Sequence, residues 1–192
     1  MSIELYESVP GFDQPIALMR ACHRRIFACI DTLERLSRHL ETHGADAEAR
    51  GAAQRLLNYF HESAPHHHDD EDQDLFPLLR EYRDHPESHP QLVDWVDRLT
   101  REHDDLEAGW SRMEPALERI AVGEPASLDG AQSWIDHYRS HLELEERAVL
   151  PLAEHLLTPE QLSRIGSAMA RRRSRPATSE DGTAGDGATV HE

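Results

Sequence analysis

Cysteine is scarce in this chain of 192 residues, in which only Cys22 and Cys29 occur. They lie on one predicted helix, where a separation of seven residues places their Cα atoms about 10 Å apart at about 1.5 Å per residue. A disulfide needs Cα atoms closer than about 7 Å, so the sequence predicts two free thiols. Their simplest role is that of small buried helix residues rather than redox sensors. A reducing, cytoplasmic location is the corresponding expectation.

Long hydrophobic runs are also lacking. No stretch approaches the roughly 20 apolar residues that cross a membrane, so no membrane helix is expected. The first residues carry no basic segment followed by an apolar run, so no secretory signal is expected. Strand signals are nearly absent too. With 38% apolar and 30% charged residues, the chain has the composition of a soluble protein rich in solvent-facing helix, long enough for one domain.

Positive charge is scarce relative to negative charge. Lys and Arg together number 20 and Asp and Glu 37, which gives a net charge of −17. This balance disfavours nucleic acids and anionic membranes as partners. Solubility is its simplest reason, yet nine acidic residues fall between His61 and Glu87 against only Arg80 and Arg83. A cation would be attracted to that segment.

What the sequence does contain is four series of apolar residues with the three- and four-residue spacing of amphipathic helices. The first begins after Asp13, a predicted cap, with Pro15 in its first turn, and ends at Gly44. The second restarts at Asp46, and the third ends at Gly123. Four such helices joined by short connections predict an all-α fold, an antiparallel up-down-up-down four-helix bundle.

A short fifth helix is predicted after the bundle. Thr-Pro-Glu-Gln at residues 158–161 has the form of a capping box with a first-turn proline. The bundle and this helix are expected to occupy residues 1–172, and residues 173–192 are expected to form a disordered tail. Within the bundle, Pro65 and Pro115 are each expected to remove a backbone hydrogen bond and kink their helix.

Histidine interrupts the apolar stripe of each predicted helix, and in two helices glutamate follows one turn later on the same face. One histidine on an apolar face is usually a hydrogen-bonded core residue. Four histidines with two carboxylates need a common partner, because a buried ionised carboxylate is costly unless it is paired or bound to metal. A cation is the simplest such partner. The six residues are His23, His67, Glu71, His103, His141 and Glu145.

The chain also repeats itself. HHDDEDQDLFP at 67–77 and HLELEERAVLP at 141–151 share the frame H-x-x-x-E-x-x-x-x-x-P with an offset of 74. His23 and His103, offset by 80, open the two halves. The repeat predicts two helix pairs related by a pseudo-two-fold axis.

The frame also selects one histidine from the run 66–68. His67 alone satisfies both the repeat and the apolar stripe, because its neighbours in the run lie about 100° to either side on the helix. We expect a common role for the polar residues around it: they are exposed to solvent or support the ligands from outside the centre. These residues are His66, His68, Asp69 and Asp70.

Four imidazoles and two carboxylates are too many ligands for one tetrahedral structural zinc ion. They suit a pair of borderline divalent ions, each with two histidines and bridging carboxylates. Iron is the preferred metal because such a centre is suited to reaction with O2 and its relatives. Zinc and manganese are compatible with the same ligand types.

The order His, His-x-x-x-Glu, His, His-x-x-x-Glu, with Leu-Phe-Pro closing the second helix, resembles the hemerythrin-like (HHE cation-binding) domain over residues 12–157. The resemblance implies a bundle that holds a non-haem di-iron centre, oxo- or hydroxo-bridged when oxidised. It further implies that His23 and His67 serve one iron and that His103 and His141 serve the other. Glu71 and Glu145 would bridge the two ions.

Two departures from the oxygen-carrying hemerythrins bear on function. Carriers have His-x-x-x-His on the third helix, whereas here Glu107 follows His103, and carriers end with His-x-x-x-x-Asp rather than His-x-x-x-Glu. With one imidazole fewer, a coordination position is open on both irons or filled by another group. The difference disfavours simple O2 carriage and favours peroxide reduction or NO binding. The candidates for an extra ligand are Glu107, His137, Tyr138 and Tyr59.

Three functions follow as hypotheses. The first is a di-iron protein that binds or senses a small ligand, O2, NO or peroxide, or handles iron. The second is a peroxidase or catalase-like enzyme in which His61 or nearby carboxylates relay protons. The third is a structural or interaction bundle in which the metal only stabilises the fold. Ferritin-type iron storage is disfavoured, because those bundles use Glu-x-x-His rather than His-x-x-x-Glu.

Overall fold

The computed structural model describes residues 10–174, and every regular element in that range is helical. Four helical rods form the bundle: two are single helices, and two are interrupted by breaks or π-helical turns. A fifth helix follows them, so the predicted four-helix bundle with a fifth helix is confirmed. No helix in the described range is long and apolar enough to cross a membrane. The elements are α1 (Pro15–His43), α2 (Ala47–Glu62), α3 (Ala64–Asp70), a first π-helical turn (Glu71–Leu75), α4 (Phe76–Glu81), α5 (Leu92–Ala121), α6 (Ala131–Leu144), a second π-helical turn (Glu145–Val149), α7 (Leu150–Leu156) and α8 (Pro159–Ser174).

Most of the predicted helix ends are observed. The Asp46 side chain accepts a hydrogen bond from the backbone N–H of Ala49 at 2.9 Å and so caps α2. In the predicted capping box, Thr158 N–H donates to Gln161 Oε1 at 2.9 Å, and the Gln161 backbone N–H donates in return to Thr158 Oγ1 at 3.3 Å. The predicted cap at Asp13 is wrong. The residue before α1 is Gln14, and no side chain caps that helix.

The two internal prolines behave differently. Pro65 stands in the first turn of α3, just after the break at Ser63 that separates α2 from α3. A first-turn proline removes an N–H that has no partner within the helix, so the break accommodates it. Pro115 lies inside α5, which continues through it to Ala121. A break in the helix therefore accompanies Pro65, and the kink predicted at Pro115 stays a prediction.

The two π-helical turns are a feature that the sequence did not predict. The backbone N–H of Phe76 donates to the carbonyl of Glu71, and that of Leu150 donates to Glu145, five residues earlier in each case. A proline follows directly in both copies of the repeat, and in a regular α-helix its ring would clash with the carbonyl four residues before it. The wider π turn gives that carbonyl room. Such turns are frequent at functional sites.

The core consists of two apolar clusters with a layer of polar residues between them along each rod. One cluster includes Ile30, Phe60 and Leu117, and the other includes Met19, Phe76 and Leu99. The fifth helix, α8, packs against α1, α3 and the first π turn. It ends at Ser174, so it extends two residues into the range predicted as tail; residues 175–192 lie outside the described range.

Candidate metal centre

The six residues that interrupt the apolar stripes lie together in the layer between the two apolar clusters. None of them is more than 4% exposed, and the only other buried polar residue in the described range is Asp70. They form two groups, within each of which the potential ligand atoms lie within 4.8 Å of one another. Both groups contain Glu71 and Glu145. The first adds His23 and His67, and the second adds His103 and His141.

The first group is contributed by α1, α3 and the first residues of both π turns. His23 Nε2 lies 3.3 Å from Glu145 Oε2 and 3.5 Å from Glu71 Oε1. His67 Nε2 is also 3.5 Å from Glu71 Oε1. Because Glu71 and Glu145 each begin a π turn, the change of helical pitch occurs where the chain presents these carboxylates to the centre.

The second group lies on the side of α5 and α6. His103 Nε2 is 3.5 Å from Glu71 Oε2, and His141 Nε2 is 3.2 Å from Glu145 Oε1. The two imidazoles also face each other, with 3.2 Å between their Nε2 atoms. The two carboxylates thus stand between two histidine pairs.

The hydrogen bonding of these atoms tests whether cations fit the site. The Nε2 atoms of His23 and His67 and all four carboxylate oxygens of Glu71 and Glu145 are buried without a hydrogen-bond partner. Buried carboxylate oxygens without donors destabilise a folded protein by several kcal/mol unless a charge compensates them. Imidazole nitrogens and carboxylate oxygens are together the ligands of borderline divalent ions. The donor set therefore fits a pair of such cations.

Three of the four histidines are held from outside the centre by a carboxylate. Nδ1 of His23 lies 2.7 Å from Glu146, and Nδ1 of His103 lies 2.7 Å from Asp72. Nδ1 of His141 lies 3.1 Å from Glu102. The Nδ1–H donates to the carboxylate in each pair, which leaves the Nε2 lone pair of the neutral ring free for a metal.

His67 is the exception, because its Nδ1 is buried without a partner. Sequence reasoning missed the three outer carboxylates, although a signal for two of them was present. Asp72 and Glu146 each directly follow the glutamate of the repeat, and so share its offset of 74. Each supports a histidine of the opposite helix pair.

The pKa values reflect this arrangement in the metal-free protein. Burial alone would lower the pKa of His23, but the hydrogen bond to Glu146 and the nearby negative charges of Glu71 and Glu145 outweigh it and raise that pKa to about 10. Asp72 and Glu71 likewise outweigh burial and raise the pKa of His103 to about 10. Burial and the neighbouring imidazolium charges lower the pKa of His67 well below its usual value. A metal ion at this site would therefore displace protons.

The four candidates for an additional ligand have different surroundings. Glu107 is exposed and His137 is partly exposed, and neither belongs to the two groups found among the described residues. His137 Nε2 instead lies 3.7 Å from Glu102. Tyr59 packs edge-on against the aromatic ring of its neighbour in the apolar core. Tyr138 is buried, and its hydroxyl is 2.9 Å from Nε2 of His68.

Two residues beside the predicted ligand His67 have structural partners that the sequence did not reveal. The His68 ring stacks on the His103 ring with 4.2 Å between centroids, so this side chain supports the centre from outside. Asp70 is fully buried and forms ion pairs with Arg172 and Arg173 at the end of α8, so a solvated position is wrong for it. Only a contact between residues about 100 positions apart reveals the role of Asp70.

A four-helix bundle whose rods all contribute to a buried histidine and glutamate cluster defines a helical cation-binding domain. The sequence model described as "Hemerythrin HHE cation binding domain" matches residues 14–153. The chain therefore belongs to the hemerythrin HHE cation-binding family, and the resemblance noted from the motif is confirmed.

A relative in Haemophilus influenzae (strain ATCC 51907 / DSM 11121 / KW20 / Rd) is 29% identical over 164 residues. The match covers 84% of this chain and 91% of the relative, so the two proteins are similar over nearly their whole lengths. The relative is named only as an uncharacterized protein, and it carries no activity over to this chain.

Proposed function

We propose that this protein is a non-haem di-iron protein that binds or senses a small ligand, O2, NO or peroxide. The observation that supports the proposal best is the set of buried carboxylate oxygens and imidazole nitrogens that have no protein partner. In this proposal His23 and His67 hold one ion, and His103 and His141 hold the other. Glu71 and Glu145 are shared between them.

The residues around the centre suit this function. Bound iron would supply a redox-active Lewis acid with positions free for an added ligand, since two imidazoles and two shared carboxylates do not complete six-fold coordination. Glu146, Asp72 and Glu102 hold three of the imidazole rings in orientation. The two apolar clusters exclude water from either side of the layer.

A peroxidase or catalase-like activity is the second candidate. The observation that favours it is the hydrogen bond between His68 and Tyr138, because His68 also stacks on His103. This pair places a transferable proton next to His103. Reduction of a peroxide at the centre would require such a proton. Hydrogen peroxide turnover far above that of free iron, and lost in Tyr138→Phe with the metal content unchanged, would support this candidate over ligand binding alone.

Metal loading in the absence of air tests the main proposal. We expect two irons per chain after addition of ferrous iron, and a ligand-to-metal charge-transfer band in the near-ultraviolet when air is admitted. His67→Ala should lose bound iron and the band. His66→Ala is the matched control, because this neighbour is partly exposed and lies outside both groups.

The other outcomes are equally informative. Zinc alone, or no metal and no absorption band, would contradict the redox function. Unchanged helicity without metal and in His67→Ala, together with the absence of iron, would favour the third hypothesis of a structural bundle.

A further inference from the structure

The pseudo-symmetry of the chain relates two grooves on opposite sides of the centre. One lies between α1 and α6, and the other lies between α2–α3 and α5. An offset of 80 relates positions of α1 to positions of α5, and an offset of 74 relates α2–α3 to α6. We call the first the tied groove and the second the open groove, for the reasons that follow.

The tied groove is bridged by an arginine. Arg139 on α6 donates to Asp31 at 2.9 Å and to Glu34 at 2.6 Å, both on α1. These contacts join the two helices across the groove. On α6, three residues after Arg139, Leu142 is completely buried.

The open groove lacks the arginine bridge, and there His61 on α2 pairs with Glu114 on α5 instead. The positions that correspond to Arg139, Asp31 and Glu34 are Pro65, Ser111 and Glu114. Pro65 has no charged side chain that could extend across the groove, and it lies next to the break between α2 and α3. A cavity of about 560 Å³ occupies this groove.

The cavity reaches the metal centre. Of the six candidate ligands only His103 lines it, and His103 is also the most exposed of the six, at 4%. His68 and Tyr138 line the cavity beside it. Their counterparts across the pseudo-two-fold axis are apolar, Leu142 for His68 and Ala64 for Tyr138. The polar approach therefore exists on one side of the centre only.

The walls and the mouth of the cavity differ in character. Trp110 lines the wall and is 8% exposed, and its indole N–H is buried without a hydrogen-bond partner. Asp104 and Glu107 line the cavity at exposed positions, and Asp69 and Asp72 add two further carboxylates. Glu114 also lines the cavity, but it is paired with His61, and none of the described residues that line the cavity is an arginine. Like charges at a cleft lower the local concentration of an incoming ion and its association rate.

We propose that the open groove is the route by which an external ligand reaches the metal position held by His103 and His141, and that it admits neutral ligands in preference to anions. The proposal rests on the di-iron function proposed above and adds to it the site of approach and the charge class of the ligand. O2, NO and hydrogen peroxide are neutral, whereas azide and superoxide are anions.

A plug in the groove tests the route. In the iron-loaded full chain, Ser111→Trp should slow NO binding in stopped-flow measurements by at least about tenfold, because the ligand must then wait for a minor open conformation. Iron content and the absorption spectrum should not change. Arg112→Trp is the matched control, because Arg112 is the next residue of α5 and lines a different cavity.

A second variant closes the groove without a large side chain. Pro65→Arg with Ser111→Asp recreates the contacts of Arg139, and we expect it to slow NO binding as well. NO association at the wild-type rate in both this variant and Ser111→Trp would overturn the proposed route.

The charge preference is tested with azide as the anionic probe of the oxidised protein. Asp104→Asn with Glu107→Gln should raise the azide association rate about tenfold at low salt and leave the NO rate unchanged. Added salt should erase that gain, because it screens charges over about 10 Å. Glu118→Gln, on an exposed position of the same helix, is the control.

The outcomes separate the two proposals. A wild-type protein that takes up no iron, or binds neither probe, overturns the di-iron function and the inference with it. Iron uptake and NO binding in the wild type, with an azide rate that does not respond to the charge variants, overturn the charge preference alone.

Discussion

The two halves of the bundle present the same groups to the centre but support their imidazoles differently. On the side of α5 and α6, both histidines lie against an outer carboxylate, Asp72 for His103 and Glu102 for His141. On the other side His23 lies against an outer carboxylate, but Nδ1 of His67 has none. The position that corresponds to Glu102, by the offset of 80, is Cys22.

The difference teaches that the repeat frame and the outer contacts have separate roles. The frame determines which groups meet at the centre, and the outer carboxylates determine how firmly each imidazole is held. Loss of such a partner typically lowers metal affinity about 10- to 100-fold. The position held by His103 and His141 should therefore bind its ion more tightly than the position held by His23 and His67.

The largest expected effect comes from removing a carboxylate that both metal positions share. Glu145→Ala should abolish binding of both ions, because this carboxylate belongs to both groups. Metal analysis after loading and desalting measures the result. Glu143→Ala, at an exposed position on α6 two residues before Glu145, should retain both ions. Retention of one tightly bound ion in Glu145→Ala would contradict a shared ligand.

The next effect concerns α8, which packs against α1, α3 and the first π turn, all in the first half. Asp70 binds Arg172 and Arg173 there, whereas its counterpart in the second half is Leu144. Asp70→Ala should lower the free energy of unfolding by about 3 kcal/mol, the low end for a broken buried ion pair, because both arginines are partly exposed. Urea denaturation measures it. Asp69→Ala, at a partly exposed neighbour, should cost less than about 1 kcal/mol; equal losses would contradict this account.

Removal of one outer carboxylate should make the two metal positions more alike. Glu102→Ala should weaken the tighter site about 10- to 100-fold, since the imidazole of His141 loses its support. Cys22→Ala should change neither site measurably, because Cys22 forms no hydrogen bond to His67. Calorimetric titration with a divalent metal measures both affinities, and an unchanged tighter site in Glu102→Ala would refute the proposed asymmetry.

The smallest expected effect is a pH dependence that has opposite signs for the thermal stability of the metal-free protein and for its affinity for metal. The pKa values of His23 and His103 are raised to about 10 in the folded metal-free chain. Their stabilising contribution is therefore complete below the unfolded pKa of about 6.5 and is lost as pH rises through about 10. The Tm of the metal-free protein should fall over this window. Metal binding should strengthen over the same window, because fewer protons must be displaced; parallel pH trends would contradict this assignment.

The sequence predicted the main features of the fold because the apolar spacing and the helix caps are local signals. It also singled out the six residues that the structure brings together, because the apolar stripe and the repeat frame together distinguish residues such as His67 from their neighbours. Their role as ligands stays a prediction. The π turns were missed because Pro77 was read only as the end of the second helix, whereas Pro77 and Pro151 also act on the carbonyls four residues before them.

What the sequence could not predict depends on contacts between distant segments. The pair of His68 and Tyr138 joins residues 70 positions apart, and Asp70 meets Arg173 across 103 positions. Nothing in the local pattern distinguishes Asp70 from Asp69, yet one is buried beneath α8 and the other is partly exposed. Periodicity assigns a residue to a face of its helix, but not to the neighbour that covers that face.

The most direct test of the account is a stepwise titration of the metal-free protein with ferrous iron in the absence of air, followed by calorimetry and metal analysis. The account predicts two irons per chain, bound in two steps whose dissociation constants differ by about 10- to 100-fold. The tighter step should be the one that Glu102→Ala weakens. A single iron per chain, or two steps of equal affinity that Glu102→Ala leaves unchanged, would contradict it.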